Sequence, residues 1–406
     1  MTGGEATAVR RRWWAWAVAV LVVAAAVAPL VQQWLTNPDD QRLVDLDVYR
    51  TGGQMLLSGR PLYDFATPAP QLLPFTYPPI AGMLAVPLAE LSWGTAQWVW
   101  TAGIFLALVV TVAFAFREVL AAKGDLRRYA PWLFAFLMVT CAYLMPIRDQ
   151  VRFGQVDILL VALCLADCAA RRPWWPRGLL IGLATAVKLT PGVFLIYLLV
   201  TRQWRTFFMA SFVSALLTLL PFAVIPRDAA GFWFSALLDP ERLGANAATT
   251  NQSLRAMLIR LYLPSETLTS VIWLLLVAVV GWYGFRGALR AYRRQEEMTA
   301  VALTGLMAVL LSPVAWIHHL AWVVIVLAAI VGDGRDQVRV RIAVGVWLFY
   351  VVPVPWWGVA LKVAGVPVLD KIVQDGFGLG ALALVWLLAS WLPKRGAALD
   401  RAITIR

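Results

Sequence analysis

The sequence predicts an all-α, polytopic integral membrane protein, and three observations carry that reading. Of 406 residues, 61% are hydrophobic and only 14% are charged. Mean hydropathy is +0.72, which leaves too little polar surface for a soluble chain of this length. Apolar stretches recur from end to end, giving about twelve candidate spans near 13–34, 96–116, 130–147, 156–170, 178–190, 191–201, 206–225, 267–285, 299–313, 316–331, 342–356 and 377–393. Several fall short of the ~20 residues of a simple span, so the boundaries are loose. The third observation is how the charge is distributed.

With Arg10-Arg11-Arg12 placed inside, 23 of the 35 Lys and Arg fall on the cytoplasmic side with 9 acidic residues, against 12 basic and 14 acidic outside. That is the positive-inside pattern, kept through every turn. The net charge of +12 therefore encodes topology and argues against a nucleic-acid partner. Both termini are expected in the cytoplasm. The N-terminus resembles a signal peptide, but its long apolar run and the eleven spans after it favour a retained first span. Cys141, Cys164 and Cys168 lie in apolar runs with neither metal-ligand spacing nor a disulfide framework.

The inside loops are short and basic, whereas the long loops 35–95, 226–266 and 357–376 are all external. Residues 1–406 read as one membrane domain whose working surface is extracytoplasmic. In the first external loop, Asp45 is placed to cap a helix over 46–57 that stops at Gly59. Val48, Met55 and Leu56 would give it an apolar face suited to the membrane surface. Tyr77-Pro78-Pro79 opens a second helix, 80–91, ~18–20 Å long. That is too short to span, so it is expected to be interfacial or re-entrant. No internal repeat is evident.

Polar and ionisable groups gather on the external side: Asp45 and Asp47; Arg148, Asp149, Arg152, Gln155 and Asp157 between spans three and four; Lys188; Asn251 to Arg255; and His318-His319, the only histidines. Each has a plain structural reading. Asp45 is a helix cap and Asp47 a first-turn dipole partner. Arg148 and Arg152 pair with Asp149 and Asp157, Lys188 snorkels, and Asn251-Gln252-Ser253 is a weak sequon. Trp174-Trp175 are interfacial anchors. Adjacent histidines on a helix point about 100° apart, so one ring is expected to work and the other to pack, and joint zinc ligation is not expected. Convergence favours the functional reading. A carboxylate to deprotonate a hydroxyl, cations to neutralise a departing phosphate and imidazoles to hold it are the parts of group transfer from a lipid phosphate. A charge at membrane depth costs ~2.5–3.5 kcal/mol on insertion scales, so Lys188 calls for a partner or ligand.

At these residues the sequence resembles the actinobacterial GT-C polyprenyl-phosphate-sugar-dependent glycosyltransferases grouped as GT87. The stretches that carry the resemblance are DLDVYRTGGQMLLSGRPLY (45–63), LPFTYPPIAGML (73–84), GQVDILL (154–160), GLATAVKLTP (182–191), NQSL (251–254) and SPVAWIHHLAW (312–322). The first looks most like the α-(1→2)-mannosyltransferases of lipomannan and phosphatidylinositol mannoside synthesis. The resemblance implies a GT-C membrane fold and a polyprenyl-phosphate-mannose donor at the outer leaflet. It implies a lipid-linked glycan acceptor and an aspartate base after the first span, here Asp45 with Asp47 as second choice. A β-linked donor and an α-linked product imply inversion by single displacement. His318 or His319 joins the catalytic set, and Arg148, Arg152, Lys188, Gln155, Tyr77, Asn251 and Arg255 are the expected contacts of donor phosphate and substrate. No metal site or further cofactor is expected. Asp45-Leu46-Asp47 resembles a metal-nucleotide DxD, but nucleotide sugars are absent from the outer face. An arabinofuranosyltransferase using the corresponding arabinose lipid would share this architecture. A secondary transporter would show inverted repeats and a mid-membrane site, and a non-catalytic lipid-binding scaffold would leave Asp45 away from any groove.

Overall fold

The computed structural model describes residues 3–38, 41–121, 129–239, 242 and 244–396, with side chains from Trp13 onward. The side chains of Arg10-Arg11-Arg12, most of the basic loop 117–128 and the tail beyond 396, which orient the chain in the reading above, lie outside that description. The described residues are helical with no strand, only two isolated bridges, Ala66 with Pro74 and Asn251 with Trp316. In order the helices are α1 (Gly3–Leu35), α2 (Val44–Leu57), α3 (Pro79–Ala89), α4 (Trp93–Ala115), α5 (Arg117–Leu120), α6 (Ala130–Ala142), α7 (Met145–Phe153), α8 (Asp157–Ala169), α9 (Leu179–Val187) and α10 (Val193–Val200). They continue with α11 (Trp204–Val224), α12 (Pro226–Phe234), α13 (Leu254–Arg260), α14 (Glu266–Arg293), α15 (Glu297–Leu310), α16 (Val323–Val331), α17 (Gln337–Val351), α18 (Val354–Val363), α19 (Leu369–Gln374) and α20 (Gly376–Trp386).

Five helical stretches are long and apolar enough to cross a membrane: Trp13–Leu35, Trp93–Ala115, Trp204–Val224, Glu266–Arg293 and Gly376–Gly396. Two bent pairs, α6 with α7 at 72° and α17 with α18 at 49°, raise the number to seven. The remaining expected spans are shorter. α9 and α10, at nine and eight residues, are only ~12–14 Å long, half of a ~30 Å hydrocarbon layer. α15 and α16 differ in another way. Every residue from Met298 to Leu310 and from Val323 to Ile330 is buried, as befits helices apolar on all sides. They form the centre of the bundle, and Phe208, Phe212, Leu219 and Leu275 of the longer helices face outward.

Local chemistry sets the ends. Ser92 accepts from Thr95 N–H to start α4, and Ser265 accepts from Leu268 N–H to start α14. Asp167 accepts from the N–H groups of Gly178, Leu180 and Ile181 at 2.9, 3.1 and 3.0 Å, which pins the start of α9 to the end of α8. α8 and α9 therefore run antiparallel and bring Asp157 and Lys188 together at their other ends.

The first long loop holds both expected helices. Pro79 opens α3 in its first turn and Gly59, at φ +64, follows the end of α2. The start of α2 differs from expectation. Leu43, left-handed at φ 49, is the cap residue, and Asp45 lies inside the first turn with no capping bond. α2 packs against α3: Leu56 reaches Gly82, and Gly53 is so close that a Cβ there would stand 2.7 Å from the Ala85 carbonyl oxygen.

Candidate active site

The site is built where the GQVD stretch meets α2. Gly154 ends α7 at φ +72, and a Cβ on it would stand 2.8 Å from Leu46 Cβ. Only glycine fits both the left-handed turn and the close approach. Trp100 Nε1 donates to Gly154 O at 2.7 Å and Leu43 N–H to Arg152 O at 2.8 Å, which locks this turn between α2 and α4. Gln155, the next residue, then points at the first turn of α2. Its Oε1 lies 3.1 Å from the hydroxyls of both Tyr49 and Tyr77, themselves 2.9 Å apart. Burial pushes the Tyr77 phenol up to about 12 and Tyr49 well above its usual range, so both remain neutral donors. With its oxygen held by phenols, Gln155 turns its amide N–H toward Asp45, to which it hydrogen-bonds.

Asp45 is half-buried. Burial raises its pKa to about 7, against the Gln155 bond and the charge of Lys188, with the charge of Asp157 adding to the rise. It is poised near neutrality, as a general base at pH 7 should be. Asp47 lies two residues on, about 200° round the helix, and meets Arg50 and Thr51 instead. Burial raises it as well, while Arg50 and Thr51 oppose the rise. Of the two carboxylates, only Asp45 faces the polar cluster.

Lys188 closes that cluster. α9 ends on it in extended conformation, with Pro191 just beyond. Its Nζ is 2.7 Å from Asp157 Oδ1, 3.0 Å from His319 Nε2 and 5.3 Å from the centre of the Tyr77 ring. As an ammonium donating to Nε2, it fixes His319 as the neutral tautomer protonated at Nδ1. Residues Ile317–Trp322 form a 3-10 turn, and here the expectation of divergent histidines fails. Nε2 of His318 and of His319 each lie 3.8 Å from Asp157 Oδ2. The rings stand 80° apart with centroids 4.7 Å apart, so both face one carboxylate. Gln150 braces the turn, donating to His318 O at 2.7 Å and accepting from Ile158 N–H at 3.3 Å. Among the described residues, Asp157 Oδ2, His318 Nε2 and His319 Nδ1 are buried without a hydrogen-bond partner. Orphaned polar atoms are costly, and these three belong to neighbouring side chains able to meet a polar ligand. Asp157, His318 and His319 are also a group whose ligating atoms lie within 4.8 Å of one another. The Lys188 ammonium already supplies a positive charge in contact with two of them.

The other expected contacts fall into two groups. Arg148 and Arg152 lie one turn apart on α7; the Arg152 guanidinium is 5.0 Å from the Phe153 ring centre, and Phe153 packs on His318. Both leave Nε buried without a partner. Asp149 sits in the field of both arginines, as expected. Asp157 does not pair with them; it is the partner of Lys188. Asn251 belongs to the second group. Its Oδ1 accepts from Ala315 N–H at 2.9 Å and Ser253 N–H at 3.3 Å, and its Nδ2 donates to Asn246 O at 2.9 Å. Fully buried, it has its hydrogen bonds committed to backbone and holds the histidine turn in place. Arg255 stands one residue inside α13 and is half-buried. Arg260, which no motif or spacing singles out, is buried on Asp375 and on the carbonyls of Ala248 and Asn251. Tyr49, Gln150 and Asp157 were not assigned from the sequence. For Asp157 a signal existed: it opens an apolar helix in a chain whose one lysine at membrane depth needed a partner.

The sequence model of glycosyltransferase family 87 matches residues 75–313. The chain is also similar to the polyprenol-phosphate-mannose-dependent alpha-(1-2)-phosphatidylinositol mannoside mannosyltransferase of Mycolicibacterium smegmatis. They are 34% identical over 317 residues, covering 73% of this chain and 71% of that one. The protein of the same description from Mycobacterium tuberculosis is 37% identical over 296 residues, 69% of this chain and 68% of its own. A polyprenol-phosphate-mannose-dependent alpha-(1-2)-phosphatidylinositol pentamannoside mannosyltransferase of M. smegmatis is 29% identical over 368 residues, 87% and 83% of the two chains. No solved structure gives a significant match. With more than half of its length matched and relatives above 30% identity across two thirds of both chains, this protein belongs to glycosyltransferase family 87.

Proposed function

We propose that this protein is a membrane mannosyltransferase that moves mannose from polyprenol-phosphate-mannose to a 2-hydroxyl of a phosphatidylinositol mannoside or related lipid-linked mannan, with inversion. The observation that carries the mechanism is the Asp45 carboxylate, held by Gln155 and raised to about 7, beside the Lys188–Asp157–histidine cluster. Asp45 takes the proton of the acceptor hydroxyl, that oxygen forms its bond to the anomeric carbon, and the bond from that carbon to the phosphate oxygen breaks. The polyprenyl phosphate leaves with both electrons of that bond. Its charge is met by Lys188, by the guanidiniums of Arg148 and Arg152, and by the His319 Nδ1–H donor. No covalent intermediate is required.

The twelve-span topology, cytoplasmic termini and an extracytoplasmic Asp45 belong to this reading. The segregation of Lys and Arg supports them. The reading is tested with purified enzyme, a β-mannosyl polyprenyl phosphate and an α-mannoside lipid acceptor. Transfer of mannose in α-(1→2) linkage is expected. Transfer only from the arabinofuranosyl lipid would keep the mechanism and overturn the sugar.

A further inference from the structure

α2 has a second polar face. On the Asp47 side, away from the Gln155 and Lys188 cluster, lies a pocket of ≈ 500 Å³ whose polar lining is Asp47, Arg50, Thr67, Gln71 and Trp93. That volume is within the ~300–1,000 Å³ usual for small-ligand sites. Trp93 is the first residue of the long apolar α4, which puts the pocket at the level where spans meet water and interfacial tryptophans gather. The Arg50 guanidinium is braced by the Leu91 carbonyl at 2.9 Å, and the half-buried Asp47 carboxylate accepts one long bond, 3.5 Å, from Thr51. A partly dry carboxylate, a fixed guanidinium, a threonine and an indole face together suit a hydroxyl-rich ring: charged acceptors and donors for its edge, an aromatic plane for its C–H face.

Resting on the assignment of Asp45 as base, we propose that this pocket is an acceptor subsite that holds a sugar ring of the acceptor glycolipid beyond the one attacked, and so selects acceptors by size. The geometry links the two sites. Asp45 and Asp47 leave opposite sides of one helix turn, and Val44, next to Asp45, lines the pocket. The faces are separated by about one helix diameter, ~10–12 Å with side chains, a gap that a few linked sugars cross. Burial raises the Asp47 carboxyl while Arg50 opposes the rise, and a carboxylate short of water gains most from sugar hydroxyls.

The test compares two acceptors, octyl α-mannoside, which ends at the attacked ring, and a phosphatidylinositol mannoside carrying several mannoses. Wild type, Trp93→Ala and Arg50→Ala are assayed with both, Trp93→Phe serving as the conservative control. The ratio of kcat/KM for the long acceptor over the short one is expected to fall about tenfold or more in both alanine variants, a change of one decade in affinity, and to be largely kept by Trp93→Phe. Transfer to octyl α-mannoside reports that the variants are folded and inserted. An unchanged ratio overturns the subsite, and so does a proportional loss with both acceptors, which is the mark of a purely structural role. If wild type transfers mannose to neither acceptor, the mannosyltransferase reading itself falls and the subsite with it.

Discussion

Asp45→Asn is expected to lower mannosyl transfer by about 10²–10⁴-fold, the usual contribution of a positioned general base, with little effect on insertion or folding. Asparagine keeps the size and the bond to Gln155 but cannot take a proton. Asp47→Asn, on the opposite side of the same turn, leaves that chemistry in place. Its effect is expected on the KM for large acceptors, because Asp47 faces Arg50 and not Lys188. Steady-state rates of the two variants at saturating donor separate the carboxylates. Equal losses would remove the basis for choosing Asp45.

Lys188→Met is expected to have the second largest effect, on stability and activity together. The pair it forms with Asp157 is nearly dry, the two side chains being 12% and 9% exposed. Removing one member leaves a buried carboxylate uncompensated, at a cost of about 3–5 kcal/mol. Transfer should fail as well, since the leaving phosphate loses its central cation. The double variant Lys188→Met/Asp157→Asn distinguishes the two effects. Without a stranded charge it is expected to regain most of the thermal stability of the wild type in detergent, while transfer stays lost. Recovery of activity along with stability would reduce Lys188 to a structural role.

Much of this arrangement is legible in the sequence, for a physical reason: ionisable residues in an apolar chain are expensive, so the few present have work to do. Asp45, Lys188 and the histidine pair stand out on that ground alone, and proline and glycine punctuation marks α2 and α3. What escapes is what depends on tertiary geometry. Hydropathy cannot tell a helix that faces lipid from one surrounded by other helices, so α15 and α16 read as ordinary spans. Nor can it see that α9 and α10 stop at half height, meeting near Lys188. The histidines diverge on an α-helix but converge on the 3-10 turn that Asn251 and Gln150 hold in place. Asn251 itself carries the chemistry of a ligand, and only its three backbone contacts reveal that it is a fastener.

The central claim is that the Asp45 carboxylate takes the acceptor proton, and the rate of a single turnover against pH tests it most directly. Enzyme loaded with donor is mixed with acceptor between about pH 5 and 9, a range set by ordinary base catalysis. Because Asp45 must be ionised to work and burial holds its pKa at about 7, transfer is expected to rise through half-maximum near neutrality and to fall about tenfold for each unit below it. Asp45→Asn should show a low rate without that limb. A wild-type rate flat across the range, or the same limb surviving in Asp45→Asn, would contradict the account and place the base elsewhere.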